Sequence, residues 1–281
     1  MSDEAYALAE TPRFQPGRVI ADSFETFGRI APQVAGIVLI VAVPLFVWLV
    51  LGGKKMLMEF ALVSSAETWQ AGFDPAQVML MLLIALIGLA IHGAVTDAAF
   101  QDLLGEPADL LQSLGRALVM APSLVGAGLF VVMLFGFSLV MLGVAAGLLA
   151  GVLHWSFGLA LGLGGGVGLA MLALRWWLLI PVIVVEGAGP IACIKRSTAL
   201  TEGHRWKLLA LLLTLYLPQL LVKLLLVVAT PVLGAVVIAV VNIVISGVFT
   251  AFNAVAATTI YGHLRAIKEG SGLAGLAEIF E

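Results

Sequence analysis

The sequence predicts an all-α integral membrane protein, with six transmembrane helices and three amphipathic interfacial helices on the cytoplasmic side. Three observations predict it. Of 281 residues, 62% are hydrophobic and 11% charged, whereas soluble domains run near 45–50% apolar and about 25% charged. The mean hydropathy is +1.13. The charged side chains are also segregated: of the 14 Lys and Arg, only Arg175 and Lys223 fall inside long apolar stretches, and no Asp or Glu does. The rest sit in connections or near the termini, as in polytopic helical proteins.

Crossing a hydrocarbon core of about 30 Å takes about 20 apolar residues. Six segments qualify, near 33–51, 77–96, 122–152, 157–185, 207–229 and 234–262. Residues 1–13 read as a flexible N-terminus, 14–30 as an interfacial helix and 263–281 as a cytoplasmic tail. The second span opens at Asp74-Pro75, an N-cap followed by Pro at the first helical position. The third and fourth spans are separated only by Leu153-His154-Trp155-Ser156, and both are overlong, which implies tilt or an irregular start. The fifth and sixth are split at Thr230-Pro231, a helix-ending pair.

Orientation follows from the cations. Arg13, Arg18, Arg29, Arg116, Lys195, Arg196, Arg205, Lys207, Arg265 and Lys268 fall on one side, and Lys54 and Lys55 on the other. The positive-inside bias places both termini in the cytoplasm. The first apolar run begins only near residue 33, after five acidic residues, so the first span is expected to be retained rather than cleaved. A net charge of −3 gives no reason to expect nucleic-acid binding, and the single Cys193 allows no internal disulfide.

A short amphipathic stretch precedes the first, third and fifth spans. The first runs from Pro16 to Arg29 with Val19 or Ile20, Phe24, Phe27 and Ile30 at helical spacing. The second runs from Pro107 to Arg116 with Leu110, Leu111, Leu114 and Leu118; the third starts at Pro190 with Ile191, Ile194 and Leu200. Each carries a Ser six or seven residues after its Pro (Ser23, Ser113, Ser197) and then reaches Gly28-Arg29, Gly115-Arg116 or Gly203-His204-Arg205. The pattern reads as three copies of one unit: interfacial helix, span in, span out.

Inside the spans, Gly143, Gly147 and Gly151 on the third and Gly158, Gly162 and Gly166 on the fourth recur at every fourth position. Small residues so spaced let helix backbones approach, which predicts a tight hairpin between these spans. The alternative is that the Gly-rich run 162–168 breaks the helix, as at some transporter sites.

Arg175 lies eleven residues before Glu186, about 16 Å from the cytoplasmic end at helical rise. It reads either as an anion or lipid-headgroup site, or as a snorkelling Arg beside Trp176 and Trp177. Lys223 reads as snorkelling towards the far surface. Asn242, Ser246, Thr250 and Asn253 form a polar stripe on the sixth span, suited to interhelical hydrogen bonds or to lining a polar cavity. His92 reads as a satisfied interior residue. The four His show no metal-ligand spacing, and neither a G-x-S-x-G elbow nor a P-loop is present. No cofactor and no enzymatic activity are therefore expected.

The run from Pro181 through Val184-Val185-Glu186, then Ala192-Cys193-Ile194-Lys195-Arg196-Ser197, Leu200-Thr201, Gly203 and Trp206 is more specific than composition. It resembles a bacterial and archaeal multi-pass family, the membrane domain attached to some glycerophosphoryl diester phosphodiesterases, together with its stand-alone relatives. Phe14-Gln15-Pro16-Gly17-Arg18 through Ser23-Phe24 agrees with that pattern, as does Tyr261-Gly262-His263-Leu264-Arg265 through Lys268-Glu269-Gly270. The resemblance implies six spans in a bacterial inner membrane, near lipid or glycerophosphate metabolism. It does not imply the phosphodiesterase activity, which belongs to a separate soluble barrel that no part of this chain resembles. Glu186, Lys195, Arg196, Ser197 and Gly203 match the motif and, with Arg175, are the candidate anion or lipid site. The expected partners are membrane lipids and other membrane proteins. The function expected is a non-enzymatic accessory, scaffold or lipid-interacting module. The competing reading is a transporter with Arg175 and the Asn242-to-Asn253 stripe lining one midplane cavity.

Overall fold

A computed structural model describes residues 14–51 and 75–269; for residues 37–78, with the exception of the backbone of the helices, nothing further is described. Nine helices lie among the described residues: α1 (Pro16–Leu51), α2 (Pro75–Leu103), α3 (Leu110–Val119), α4 (Ala121–Val152), α5 (Trp155–Trp176), α6 (Leu179–Glu186), α7 (Pro190–Thr201), α8 (Arg205–Leu233) and α9 (Ala235–Glu269). Four stretches among them are long and apolar enough to cross a membrane: Ala121–Val152, Trp155–Glu186, Arg205–Pro231 and Val240–Glu269. The architecture is that of an all-α multi-pass membrane protein. Residues 1–13, Lys54 and Lys55, the Asp74 cap and the tail beyond Glu269 lie outside the described residues.

Several boundaries differ from the sequence reading, each for a local reason. The interfacial helix expected at 14–30 does not stop; α1 continues as one helix from Pro16 to Leu51, through Gly28, Pro32 and Pro44. The second amphipathic helix starts at Leu110 rather than Pro107, since Asp109 is its N-cap and accepts from the backbone N–H of Leu111 and Gln112. The fourth span is interrupted between Trp176 and Leu179. Pro181 causes this: it offers no N–H to the carbonyl of Trp177, and its ring crowds that carbonyl. The fifth span runs past Thr230-Pro231 to Leu233 and stops only at Gly234. The last helix reaches Glu269, so residues 263–269 are helix rather than tail.

The hairpin between α4 and α5 turns at Leu153-His154, where the His154 ring accepts from the Ser156 N–H. It is tight, and of the glycines the spacing suggested only Gly158 lies at the contact. A side chain at Gly158 would collide with the Ala146 carbonyl and the Ala150 methyl, and one at Gly165 with Leu142. Gly143, Gly147, Gly151, Gly162 and Gly166 have nothing within 4 Å of the Cβ position. The α4 face in contact is therefore Leu142, Ala146 and Ala150, one residue round the helix from the glycines. The Gly-rich run leaves α5 unbroken.

Packing is organised by α2, α6 and α9, which touch one another. Their inward residues include Val95, Ala98 and Ala99, then Val182, Ile183 and Val184, then Ala254, Val255, Ile260 and Tyr261, all buried. Small Ala side chains let α2 and α9 approach closely, which substitutes for the missing hydrophobic drive between helices in lipid. The amphipathic segments pack round this centre: α1 on α9, α3 on α2, and α7 on α5 and α6. Each turns a face of small residues inward, namely Ser23 and Thr26, Ser113 and Ala117, or Cys193, Ser197 and Thr201. The apolar residues of these segments divide: Val19, Ile30 and Leu200 are buried, whereas Phe24, Leu111, Leu118 and Ile191 are exposed.

Candidate functional site

The break in the fourth span opens a cavity of about 380 Å³. Six helices wall it. Leu124, Ala127, Gly128, Val131 and Phe135 come from α4, Trp176 and Trp177 from the end of α5, and Leu179 and Ile183 from α6. Helix α2 contributes His92, α8 contributes Tyr216, and α9 contributes Asn253 and Ala257. His92 lies five residues before Asp97 and Asn253 twelve before Arg265, so the cavity sits about 8–18 Å below the layer of charges. It is predominantly apolar with a few convergent polar groups, the usual character of a small-molecule site.

Three of its polar atoms are buried without a hydrogen-bond partner: His92 Nδ1, Trp177 Nε1 and Asn253 Oδ1. Buried polar groups are normally satisfied, and an unmade bond costs about 1–3 kcal/mol. Trp177 is fixed by an edge-on contact with Tyr216, ring centroids 5.4 Å apart. Trp176 is held by Phe135, centroids 5.7 Å apart.

Above the cavity lies a layer of paired charges. The Glu186 carboxylate accepts from Arg196 Nε at 2.9 and 3.1 Å and from the Tyr261 hydroxyl at 2.7 Å. Arg196 also donates to Glu269, which accepts from Arg265 Nε at 2.8 Å, while Arg265 donates to the Tyr261 oxygen at 3.1 Å. This ring of five side chains ties α6, α7 and α9 together. Burial disfavours the Arg196 charge, but hydrogen bonds to Glu269 and Glu186 outweigh that and hold its pKa above the ordinary value. Elsewhere in the layer, Arg29 bonds Asp102 at 2.8 Å and Glu25 at 2.7 Å, and its pKa is raised, chiefly by the Asp102 bond. Arg116 pairs with Asp97 at 3.2 Å, and His263 with Asp22 at 2.8 Å.

The residues singled out from sequence scatter across these features. Glu186 and Arg196 meet in the five-residue ring. Ser197 is buried and donates to the backbone carbonyl of Arg175 at 2.6 Å, in the last turn of α5 beside the break. Arg175 thus joins Ser197 through its main chain, while its Nε is buried without a partner. Lys195 is exposed. Gly203 supplies a turn at φ +84° between α7 and α8, and Gly187 ends α6 at φ +62°. The polar stripe divides: Asn253 faces the cavity, Ser246 donates to Asn242 Oδ1 at 3.4 Å, and Thr250 is exposed. Arg175, Asn242, Ser246 and Thr250 do not line the cavity.

Sequence reasoning missed Trp177, Tyr216, Tyr261 and Glu269 as functional or linking residues and treated His92 as satisfied. A signal existed for the first: Pro181 inside an apolar run marks where a span must loosen, and two tryptophans precede it. Among the described residues no three His, Cys, Asp or Glu side chains are placed to hold a metal ion. Compared with known proteins, the chain matches no protein-family model, no curated protein and no solved structure.

Proposed function

We propose that the protein is a non-enzymatic, lipid-interacting accessory module of the bacterial inner membrane, with six spans and both termini in the cytoplasm. The observation that carries this reading is the 380 Å³ cavity and its predominantly apolar wall. A cavity at that depth, walled by Leu, Val, Trp and Phe, is matched to an apolar molecule arriving from the bilayer. The resemblance of the Pro181-to-Trp206 run to the membrane domains of glycerophosphoryl diester phosphodiesterases is the ground for a setting near lipid or glycerophosphate metabolism. A transporter reading asks Arg175 and the whole polar stripe to share one cavity, and only Asn253 of that set lines this one.

In the same reading the chain is built from three two-span units arranged in a ring. Each amphipathic helix packs on the outgoing span of the preceding unit: α3 on α2, α7 on α5 and α6, and α1 on α9. Ser23, Ser113 and Ser197 are equivalently buried at those contacts. Reporter fusions test the topology: the termini should report cytoplasmic and residue 55 the opposite side.

The binding claim is tested by filling the cavity. Gly128 lines it, and an added Cβ there meets nothing within 4 Å. Gly128→Leu therefore places a side chain in open space and leaves the fold intact. Lipid retained by the purified protein, counted by native mass spectrometry, is expected to fall by at least one molecule per chain. Unchanged occupancy in a folded Gly128→Leu variant would refute the reading.

A further inference from the structure

We infer that a groove along α8, ending at Lys223, binds an anionic phospholipid of the leaflet away from the charge layer, with its phosphate on Lys223 and an acyl chain along the helix. The groove measures about 370 Å³ and is separate from the first cavity, although Tyr216 walls both. Leu213, Tyr216, Leu217, Leu220 and Lys223 line it together with Gln219. The first five recur at i, i+3, i+4, i+7 and i+10, which is one face of a helix. Pro218 sits within this stretch; without an N–H, it leaves the Thr214 carbonyl short of its helical partner beside the groove.

Lys223 supplies the preference for an anion. It is exposed, and among the described residues no carboxylate pairs with it. The sequence holds no Asp or Glu from Gly203 to Lys268, and Glu269 is engaged by Arg196 and Arg265 in the charge layer. Lys223 lies sixteen residues beyond Lys207, about 24 Å along the helix. With Lys207 at the near boundary of a hydrocarbon core of about 30 Å, the Lys223 backbone lies about 6 Å short of the far one. Side chains on a helix lean towards its N-terminus, so the lysine stem lies over Gln219 and Leu220 and turns along the groove. Gln219 is neutral, and its Oε1 is shielded from the groove. An unpaired ammonium at that depth is costly. A phosphate drawn to the mouth of the groove meets it with a charge-assisted hydrogen bond.

The rest of the groove fits the tail. From Lys223 back to Leu213 is ten residues, about 15 Å, half the thickness of the core and so the depth that one leaflet's acyl chains fill. Leu220, Leu217 and Leu213 are exposed along that length and give the chain an apolar floor. A zwitterionic phospholipid brings its own ammonium to the phosphate and competes with Lys223. A phospholipid whose head is uncharged beyond the phosphate does not. The inference uses the membrane-spanning architecture and not the occupant of the first cavity, so either can fail alone.

Native mass spectrometry of the full chain in detergent, titrated with dioleoyl phosphatidylglycerol, dioleoyl phosphatidylcholine or oleate, tests this. The first phosphatidylglycerol is expected to bind about tenfold more tightly than phosphatidylcholine. Lys223→Gln should remove one tight phosphatidylglycerol site per chain and leave phosphatidylcholine binding unchanged. Lys223→Arg keeps the charge and should keep that site, a rescue that general loss of structure does not produce. Millimolar inorganic phosphate, which has the charge without the chains, should not displace the lipid. Equal binding of the two phospholipids, or the same number of tight sites in Lys223→Gln as in the unmodified chain, overturns the inference. Loss of the site in Lys223→Arg overturns the role of the charge. Tighter binding of oleate, or displacement by inorganic phosphate, overturns the assignment to a phospholipid.

Discussion

Replacing Glu186 probes the ring of side chains that ties α6, α7 and α9 together. Its carboxylate takes one guanidinium and one phenol, and hydrogen bonds to a charged partner contribute about 1.5–3 kcal/mol each. Two features reduce the loss. The Glu186 and Arg196 side chains are 22% and 31% exposed, so water screens the pair. Each partner also keeps a second bond, Arg196 to Glu269 and Tyr261 to Arg265. Glu186→Ala is then expected to cost about 2–3 kcal/mol, and Glu186→Gln, which retains an acceptor of the same shape, about 1 kcal/mol. Chains of 150–250 residues lose about 2–4 °C of melting temperature per kcal/mol. Thermal unfolding in detergent should therefore drop by about 5–10 °C for Ala and about 2–4 °C for Gln. The double variant with Tyr261→Phe should fall short of the sum, because the two residues share a bond. A change below about 1 °C for Glu186→Ala would show that the ring does not hold α6, α7 and α9 together.

Other expectations test particular contacts. Ser197→Ala removes the hydroxyl that meets the Arg175 carbonyl and should cost about 1–2 kcal/mol. Arg175→Met removes a buried, unpartnered Nε and should leave thermal stability unchanged or raise it. Gly158→Leu should destabilise the α4–α5 hairpin strongly, whereas Gly147→Leu, facing open space, should be tolerated; equal effects on melting temperature would contradict the packing described. Cys193 is fully buried, donates to the Pro190 carbonyl at 3.0 Å, and has its thiol pKa raised by desolvation. Because a raised pKa withholds the thiolate, maleimide labelling of the folded protein at pH 8 should be at least about tenfold slower than in denaturant. The difference should persist to pH 9.

What could be read from the chain reflects where the physics is local. Apolar runs and segregated charges announce spans because lipid penalises exceptions one residue at a time. The serines of the three amphipathic segments stood out because each follows a Pro by six or seven residues, although nothing in that spacing announced their burial. The α4–α5 packing face was not legible, since Leu142, Ala146 and Ala150 compete with Gly143, Gly147 and Gly151 only 100° round the helix, and rotation is set by the neighbours. The cavity was hidden further. His92, Trp177, Tyr216 and Asn253 come from four helices, and no spacing in sequence relates them. Pro181 marked the loosened turn but could not say what would gather around it. The ring around Glu186 was half legible: pairing with Arg196, ten residues away, follows from proximity, while Tyr261 and Glu269 arrive from more than seventy residues on.

The central claim is that the cavity between α2, α4, α5, α6, α8 and α9 holds an amphiphile. An electron cryomicroscopy structure of the protein in nanodiscs made from native membrane lipid tests it most directly. The account predicts elongated non-protein density beside Trp176 and Ile183. A cavity empty of density, or one closed by protein side chains that satisfy His92, Trp177 and Asn253, would contradict it.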